Sequence, residues 1–135
     1  MTSEYPHADR FLGEFRELKH GNPEGPSLIA AVRSEGDPHE EDLVRYLRAD
    51  SVIAATGSAV YDFLSLTKEF IDSLHLLTDG EWFWHTDLAH YVERYHVPLD
   101  NRFVDHARLR GWVPAQLSDD QLVQIADTFF PADKA

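Results

Sequence analysis

The first 33 residues divide into apolar segments and chain-breaking residues. The segment 7–19 is predicted to be a helix, because apolar residues recur there at helical spacing. These residues are Phe11, Leu12, Phe15 and Leu18. Two glycines and two prolines fall within 20–26, which predicts a loop. The apolar run in 27–33 is predicted to be a strand rather than a helical turn, because glycine and proline bound it.

A second helix is predicted to begin at Asp37, which is a good N-cap residue ahead of Pro38. Acidic residues occupy its start, where the positive end of the helix dipole favours them. These residues are Glu40, Glu41 and Asp42. The apolar residues that form its buried stripe are Leu43, Tyr46 and Leu47.

The middle of the chain is less regular. The run 52–55 is predicted to be a strand that Gly57 ends. The segment 58–72 has no dominant periodicity, so its secondary structure stays open. Its large apolar side chains are nevertheless expected in the interior. They are Tyr61, Phe63, Leu64, Phe70 and Ile71.

The pair Asp79-Gly80 lies between two apolar runs and favours a type I′ hairpin turn. A two-residue loop would pair Leu77 with Trp82 and His75 with Trp84. Side chains alternate across a strand, so each face of this hairpin carries every second residue. One face then carries His75, Leu77, Trp82 and Trp84. The other carries Leu74, Leu76, Phe83 and His85.

Three helices are predicted after the hairpin. The first is capped by Thr86 and ends near His96. The second covers about 100–110. The third begins at a capping box formed by Ser118 and Gln121. Apolar stripes in the three helices consist of Leu88, Tyr91, Val92 and Tyr95, of Phe103 and Ala107, and of Leu122, Ile125, Ala126 and Phe129. The residues that lie away from the first stripe are Asp87, His90, Glu93 and Arg94. Gly111 and Pro131 end the last two helices.

Together these elements predict one α+β domain over residues 1–135. Its core is a small, mainly antiparallel sheet with a central Asp-Gly hairpin, covered by four or five helices. A hydrophobic content of 43% in 135 residues is enough for one core.

Composition excludes several classes of function. Twelve basic and 24 acidic residues give a net charge of −12, which disfavours nucleic acid and anionic lipid as partners. The absence of cysteine excludes disulfides, thiolate zinc sites and cysteine nucleophiles. No signal peptide, membrane-length apolar run or lipidation signal is recognisable, so a cytoplasmic location is expected.

No motif for catalysis or cofactor binding is present, and the sequence favours a non-catalytic protein without a cofactor. It contains no glycine-rich phosphate loop, no complete nucleophile elbow and no HExxH. Histidines and carboxylates are nevertheless frequent in 85–106, which leaves a metal site as an alternative. The candidate ligands are His85, His90, Glu93 and His96. His90 and Glu93 have the spacing of a helical metal-ligand pair.

The tryptophan face of the hairpin is the candidate partner-binding surface. Both faces are apolar, so each must be covered or left for a partner, and tryptophan is enriched at interface hot spots. The residues predicted to bind a partner are His75, Leu77, Trp82, Trp84 and Asp87. In the alternative arrangement, the hairpin lies between helices and the indole N–H groups are satisfied inside the chain.

The hairpin and the segments after it share a pattern with other proteins. Residues 78–84 follow T-D-G-x-W-x-W, residues 87–96 follow D-L-x-x-Y-V-x-x-Y-H, and residues 103–112 follow F-x-x-H-x-R-x-x-G-W. In this region the chain resembles a group of small, uncharacterised cytosolic proteins common in actinobacteria. The resemblance implies no activity. In general build the chain is also similar to immunity proteins of bacterial toxin systems.

Three functions stay open. The sequence favours a non-catalytic acidic module that binds a basic protein, in its most specific form an immunity-type inhibitor of a basic nuclease toxin. The alternatives are a small-ligand-binding regulatory protein and a small metal-dependent enzyme that uses histidine and carboxylate. A homodimer joined through the hairpin would also cover the tryptophans.

Overall fold

Three antiparallel strands form one sheet in the computed structural model, which describes residues 10–48 and 51–129. The strands, in the order β1-β2-β3, are Val52–Tyr61, Phe70–Thr78 and Phe83–His85. The described helices α1 to α5 are Leu28–Ala31, Glu40–Leu47, Leu88–Tyr95, Asn101–Leu109 and Asp119–Phe129. This architecture confirms the α+β prediction. Within the described ranges, no helix combines the length and apolar character that a membrane span requires.

Aromatic side chains form the centre of the core. The Phe103 ring lies 5.6 Å from Tyr46, 5.5 Å from Trp82 and 5.6 Å from Trp84, measured between ring centroids. All three contacts are edge-to-face, the arrangement that the charge distribution of aromatic rings favours. Helices α2 and α4 therefore pack against the tryptophan face of the hairpin, and α3 contributes buried residues to the same core.

The helix predicted over 7–19 is wrong for the described residues of that segment, 10–19. Phe11 forms a parallel bridge with Phe83, and the N–H of Leu12 donates to the Phe83 carbonyl at 2.8 Å. Gly13 follows with φ +73°, which also interrupts a helix. Leu12 and Phe15 are still buried, so the apolar spacing identified core residues but not their secondary structure.

The strand predicted in 27–33 is also wrong, because residues Leu28–Ala31 form the short helix α1. The first N–H groups of α1 donate to side chains that precede the helix. The Glu17 carboxylate accepts from Leu28 N at 2.6 Å and from Ile29 N at 3.2 Å, while Ser27 Oγ accepts from Ala30 N. The loop predicted over 20–26 is confirmed.

Helix α2 confirms the predicted acidic first turn and the buried Leu43, Tyr46 and Leu47. It begins later than predicted, because Asp37 forms a preceding turn in which its carbonyl accepts from Glu40 N at 3.0 Å. The side chain of Asp37 therefore does not cap the helix; His39 occupies the N-cap position and makes no side-chain capping bond.

Strand β1 is confirmed at 52–55 but continues past Gly57 to Tyr61. Its pairing is irregular there: Ala55 pairs with His75 and Ala59 pairs with Ser73, so β1 has two more residues than β2 between these pairs.

Two of the apolar side chains expected inside from 58–72 are exposed. Tyr61 and Phe70 are 55% and 62% exposed and contact each other with ring centroids 5.9 Å apart. Phe63, Leu64 and Ile71 are partly buried against the core, as predicted.

The hairpin turn is longer than predicted. Leu77 pairs with Trp84 and Thr78 pairs with Phe83, which leaves the four residues 79–82 in the loop. Gly80 has φ +104°, but Asp79 does not have the positive φ that a type I′ turn requires. The register differs from the prediction by two residues, so the predicted division of side chains between the two faces is retained.

The three C-terminal helices are confirmed, and their ends differ by a few residues from the prediction. Thr86 does not cap α3; its hydroxyl donates to the Ser73 carbonyl, and Leu88 is the first helical residue. The capping box of α5 forms as predicted: Ser118 Oγ accepts from Gln121 N at 3.1 Å, and Gln121 Oε1 accepts from Ser118 N at 2.8 Å. Pro131, predicted to end α5, lies outside the described residues.

We expect Trp84→Phe to lower the free energy of unfolding by about 1–3 kcal/mol, because Leu47 O loses its buried hydrogen-bond donor. Urea denaturation followed by circular dichroism measures the change. The matched control is Trp112→Phe, since Trp112 is only half-buried and stacks on His39. Equal losses in the two variants would contradict this account of Trp84.

Candidate functional site

The predicted partner-binding face is buried in this structure. Trp82 and Trp84 are 3% and 0% exposed, Leu77 lies with them in the core, and His75 is half-buried. The Nε1–H of Trp84 donates to Leu47 O at 2.8 Å. The alternative arrangement, in which the rest of the chain covers the hairpin, therefore describes this face. A partner role for its residues stays a prediction, but the two indoles that would make the contact are buried in this structure.

Asp87, the fifth predicted partner-binding residue, is buried beside two histidines. It was expected to lie away from the apolar stripe of α3, but its Oδ2 is 2.8 Å from Nε2 of His20. The His20 ring in turn contacts the His85 ring at a centroid distance of 4.8 Å. Burial, and secondarily the proximity of His20, lowers the pKa of His85 to about 4. His85 is therefore neutral at physiological pH.

Asp62 is a buried carboxylate that joins the β1–β2 loop to α3. Its Oδ1 accepts from the N–H groups of Leu64 and Ser65 at 2.8 and 3.1 Å. Its Oδ2 accepts from His90 Nε2 at 2.7 Å and from the Tyr95 hydroxyl at 2.8 Å. Burial alone would raise the pKa of Asp62, but these hydrogen bonds outweigh burial and lower the pKa.

Asp79 repeats this arrangement at the β2–β3 loop. Its Oδ1 accepts from the N–H groups of Glu81 and Trp82 at 3.0 and 2.8 Å. Its Oδ2 accepts from His106 Nε2 at 2.8 Å and from the Tyr46 hydroxyl. Burial and the hydrogen bond to the Asp79 carboxylate raise the pKa of Tyr46. Each loop of the sheet is therefore tied to the helices by one aspartate, one histidine and one tyrosine.

The two networks assign structural roles to His90 and His106. An ionised carboxylate can only accept, so Nε2 of each ring is the donor and Nδ1 is the nitrogen that does not contact aspartate. Nδ1 of His106 lies 3.8 Å from Glu81 Oε2. His90, expected on the outer side of α3, is instead directed at Asp62.

The structure does not bring the four candidate metal ligands together. His90 pairs with Asp62, Glu93 Oε1 accepts from Arg48 at 2.9 Å, and Nδ1 of His96 lies 2.9 Å from Glu40. His85 lies in the separate cluster with His20. Across residues 10–48 and 51–129, no group of three or more histidines and carboxylates is arranged to hold a metal ion.

An open apolar groove with carboxylates lies between α5 and the start of β1; we call it the acidic groove. Its volume is about 330 Å³. Its lining residues are Val52, Ile53, Asp119, Leu122, Val123, Ala126 and Asp127. Val123 is 60% exposed. Asp119, Val123 and Asp127 are spaced four residues apart, so they share one side of the helix.

The carboxylates of α5 lack cationic partners within the chain as far as it is described. Asp119, Asp120 and Asp127 are all exposed, and none makes an ion pair with a described residue. Elsewhere, the exposed Glu93 and Glu81 pair with Arg48 and Arg110, and the half-buried Asp42 pairs with Arg45. The acidic groove is thus a site where negative charge and accessible apolar surface coincide.

Comparison with protein-family models, with curated proteins and with solved structures finds no match for this chain. The resemblance to the actinobacterial group therefore stays a prediction.

Sequence reasoning missed the acidic groove because the aspartates at the start of α5 have a local explanation. Asp119 and Asp120 suit the positive end of the helix dipole. The recurrence of Asp119, Val123 and Asp127 was the available signal, since it predicts one acidic and apolar helix side. The contribution of Val52 and Ile53 depends on tertiary packing, which their spacing does not indicate.

We expect Asp62→Asn to lower the free energy of unfolding at pH 7 by about 3 kcal/mol or more, because buried donors lose a carboxylate. The pKa of Asp62 is lower in the folded protein than in the unfolded chain. Its contribution to stability is therefore complete above the unfolded pKa of about 4, and it is lost as pH falls through the folded pKa. Urea midpoints measured between pH 2 and pH 7 should therefore show wild type and variant converging in acid. Exposed Asp72→Asn is the control, and a constant difference at all pH values would contradict the assignment.

We expect His85 to stay neutral until pH falls to about 4, because burial and His20 oppose its protonation. Its ring C–H resonances, followed by NMR from pH 8 to pH 3.5, should move only near the acid end. In urea-unfolded protein the pKa of the same ring should be about 6.5. Titration of His85 near 6.5 in the folded protein would contradict the enclosed position of the ring.

Proposed function

We propose that this chain is a non-catalytic binding protein whose acidic groove holds a basic protein. The observation that carries the proposal is the coincidence of Asp119, Asp127 and the exposed Val123 on one side of α5. A net charge of −12 attracts a cationic protein over distance. Unpaired carboxylates beside an apolar surface then supply both charge complementarity and buried area at the contact.

The strand beside the groove extends the contact surface. β1 pairs with β2 alone in the described sheet, so its other side is an edge. Its ten residues, Val52–Tyr61, include no charged side chain and no proline. Charged residues and proline, two common protections of an edge strand, are absent from β1, although its pairing with β2 is irregular between Ala55 and Ala59 and α5 contacts it. In the proposed complex, an extended basic segment of the partner would pair with part of the β1 edge while its cations reach α5.

The most specific form of the proposal is immunity-type inhibition of a basic nuclease. A nuclease holds its substrate through lysine and arginine side chains that contact phosphates. Carboxylates of the acidic groove would pair with those cations and exclude the nucleic acid. This mechanism requires binding and charge, and it requires no catalytic group in the inhibitor.

Affinity capture from lysate of the native host, with identification by mass spectrometry, tests the proposal. We expect a basic partner that rebinds after purification. Neutralising α5 by Asp119→Asn/Asp120→Asn/Asp127→Asn should weaken that rebinding by about tenfold or more, because charge-assisted contacts are lost. Binding to wild type should also weaken as salt rises.

The matched control removes the same charge elsewhere, by Glu24→Gln/Glu35→Gln/Glu41→Gln. These three carboxylates are exposed and lie outside the acidic groove. Circular dichroism confirms that both triple variants fold. An acidic partner, or equal binding by the two variants, would overturn the assignment of the groove.

A further inference from the structure

A second cavity, of about 700 Å³, lies between residues 17–20 and the β1–β2 hairpin; we call it the lysine cavity. Its apolar lining includes Leu18, Val60, Tyr61, Phe63 and Leu74. It shares no lining residue with the acidic groove. Its size lies within the range of about 300–1,000 Å³ in which proteins bind small molecules.

The charge of this cavity is opposite to that of the chain as a whole. The chain contains three lysines, and two of them, Lys19 and Lys68, line the cavity. One carboxylate, that of Glu17, is also in the lining, but its oxygens are directed at α1, where they accept from Ser27 Oγ and Leu28 N at 2.6 Å each. Two exposed lysines therefore contribute to the lining of a cavity whose one carboxylate is already hydrogen-bonded.

Lys68 is exposed, but its ammonium group is held by contacts within its own loop. Its backbone adopts φ +51°, a left-handed conformation that is uncommon for a residue with a side chain. Its Nζ donates to Phe63 O at 2.6 Å and lies 4.9 Å from the centroid of the Phe63 ring. The loop thus positions a cation against an aromatic part of the cavity wall.

We propose that the lysine cavity binds a small organic anion with an apolar body, of the medium-chain carboxylate class. The apolar wall formed by Leu18, Val60 and Leu74 accepts the hydrocarbon. The ammonium groups of Lys19 and Lys68 pair with the carboxylate head. A neutral molecule of the same shape would leave both cations without an anion, so the cavity selects for charge as well as for apolar surface.

Isothermal titration of the full chain with sodium octanoate tests the proposal, with 1-octanol and octylammonium chloride as neutral and cationic probes of equal chain length. We expect octanoate to bind and the other two to bind at least about tenfold more weakly. Amide NMR shifts induced by octanoate should concentrate in residues 17–20 and 58–63. Binding of octanol as tight as that of octanoate, or shifts confined to other segments, would overturn the proposal.

Two variants test the charge of the lysine cavity and its volume separately. Lys19→Gln/Lys68→Gln should weaken octanoate binding by about tenfold or more, and Lys19→Gln alone serves if the double variant does not fold. The control Arg45→Gln/Arg108→Gln removes the same charge outside the cavity and should bind as wild type. Ala59→Trp, at an exposed lining position, should fill the cavity and abolish binding. Unchanged binding in either cavity variant would refute the site.

Discussion

Two buried carboxylates hold the sheet and the helices together. Asp62 follows β1 and Asp79 follows β2, and each uses one oxygen to close its own loop and the other to bind a histidine and a tyrosine from helices. A buried carboxylate without its donors costs several kcal/mol. The loops of the sheet are therefore stable only when the helices that carry His90 and His106 are in place. The stability of the sheet therefore depends on its packing against these helices.

This constraint explains which chemistry the described residues leave available. Among the candidate histidines, His90 and His96 contact carboxylates and His85 packs against His20, while both tryptophans of the hairpin are buried in the core. Polar groups that stabilise the fold in this way cannot also turn toward a substrate without exposing a buried aspartate. The carboxylates of α5 and the two lysines beside the hairpin lie outside these networks, so a ligand can contact them without disturbing a buried aspartate.

Local signals predicted what local interactions decide. The capping box at Ser118 and the apolar stripes of α3, α4 and α5 identified those helices, because caps and periodicity act within a few turns. The two faces of the hairpin were also predicted correctly, since a register error of two residues keeps the alternation. The segment beginning at Phe11 was mispredicted because its backbone pairs with Phe83, a partner 72 residues away that helical spacing cannot indicate.

The aspartate networks and the candidate sites were harder to predict because each joins segments that are distant along the chain. Asp79 was singled out as a turn residue, but nothing in its spacing from His106 shows that the two meet. Net charge misled in a similar way, since −12 suggests an evenly acidic surface. Internal ion pairs neutralise many exposed carboxylates, so the unpaired ones matter most for a partner. The electrostatic field near such a protein is set by the positions of its unpaired charges, and two sites of opposite sign can therefore coexist on one small acidic domain.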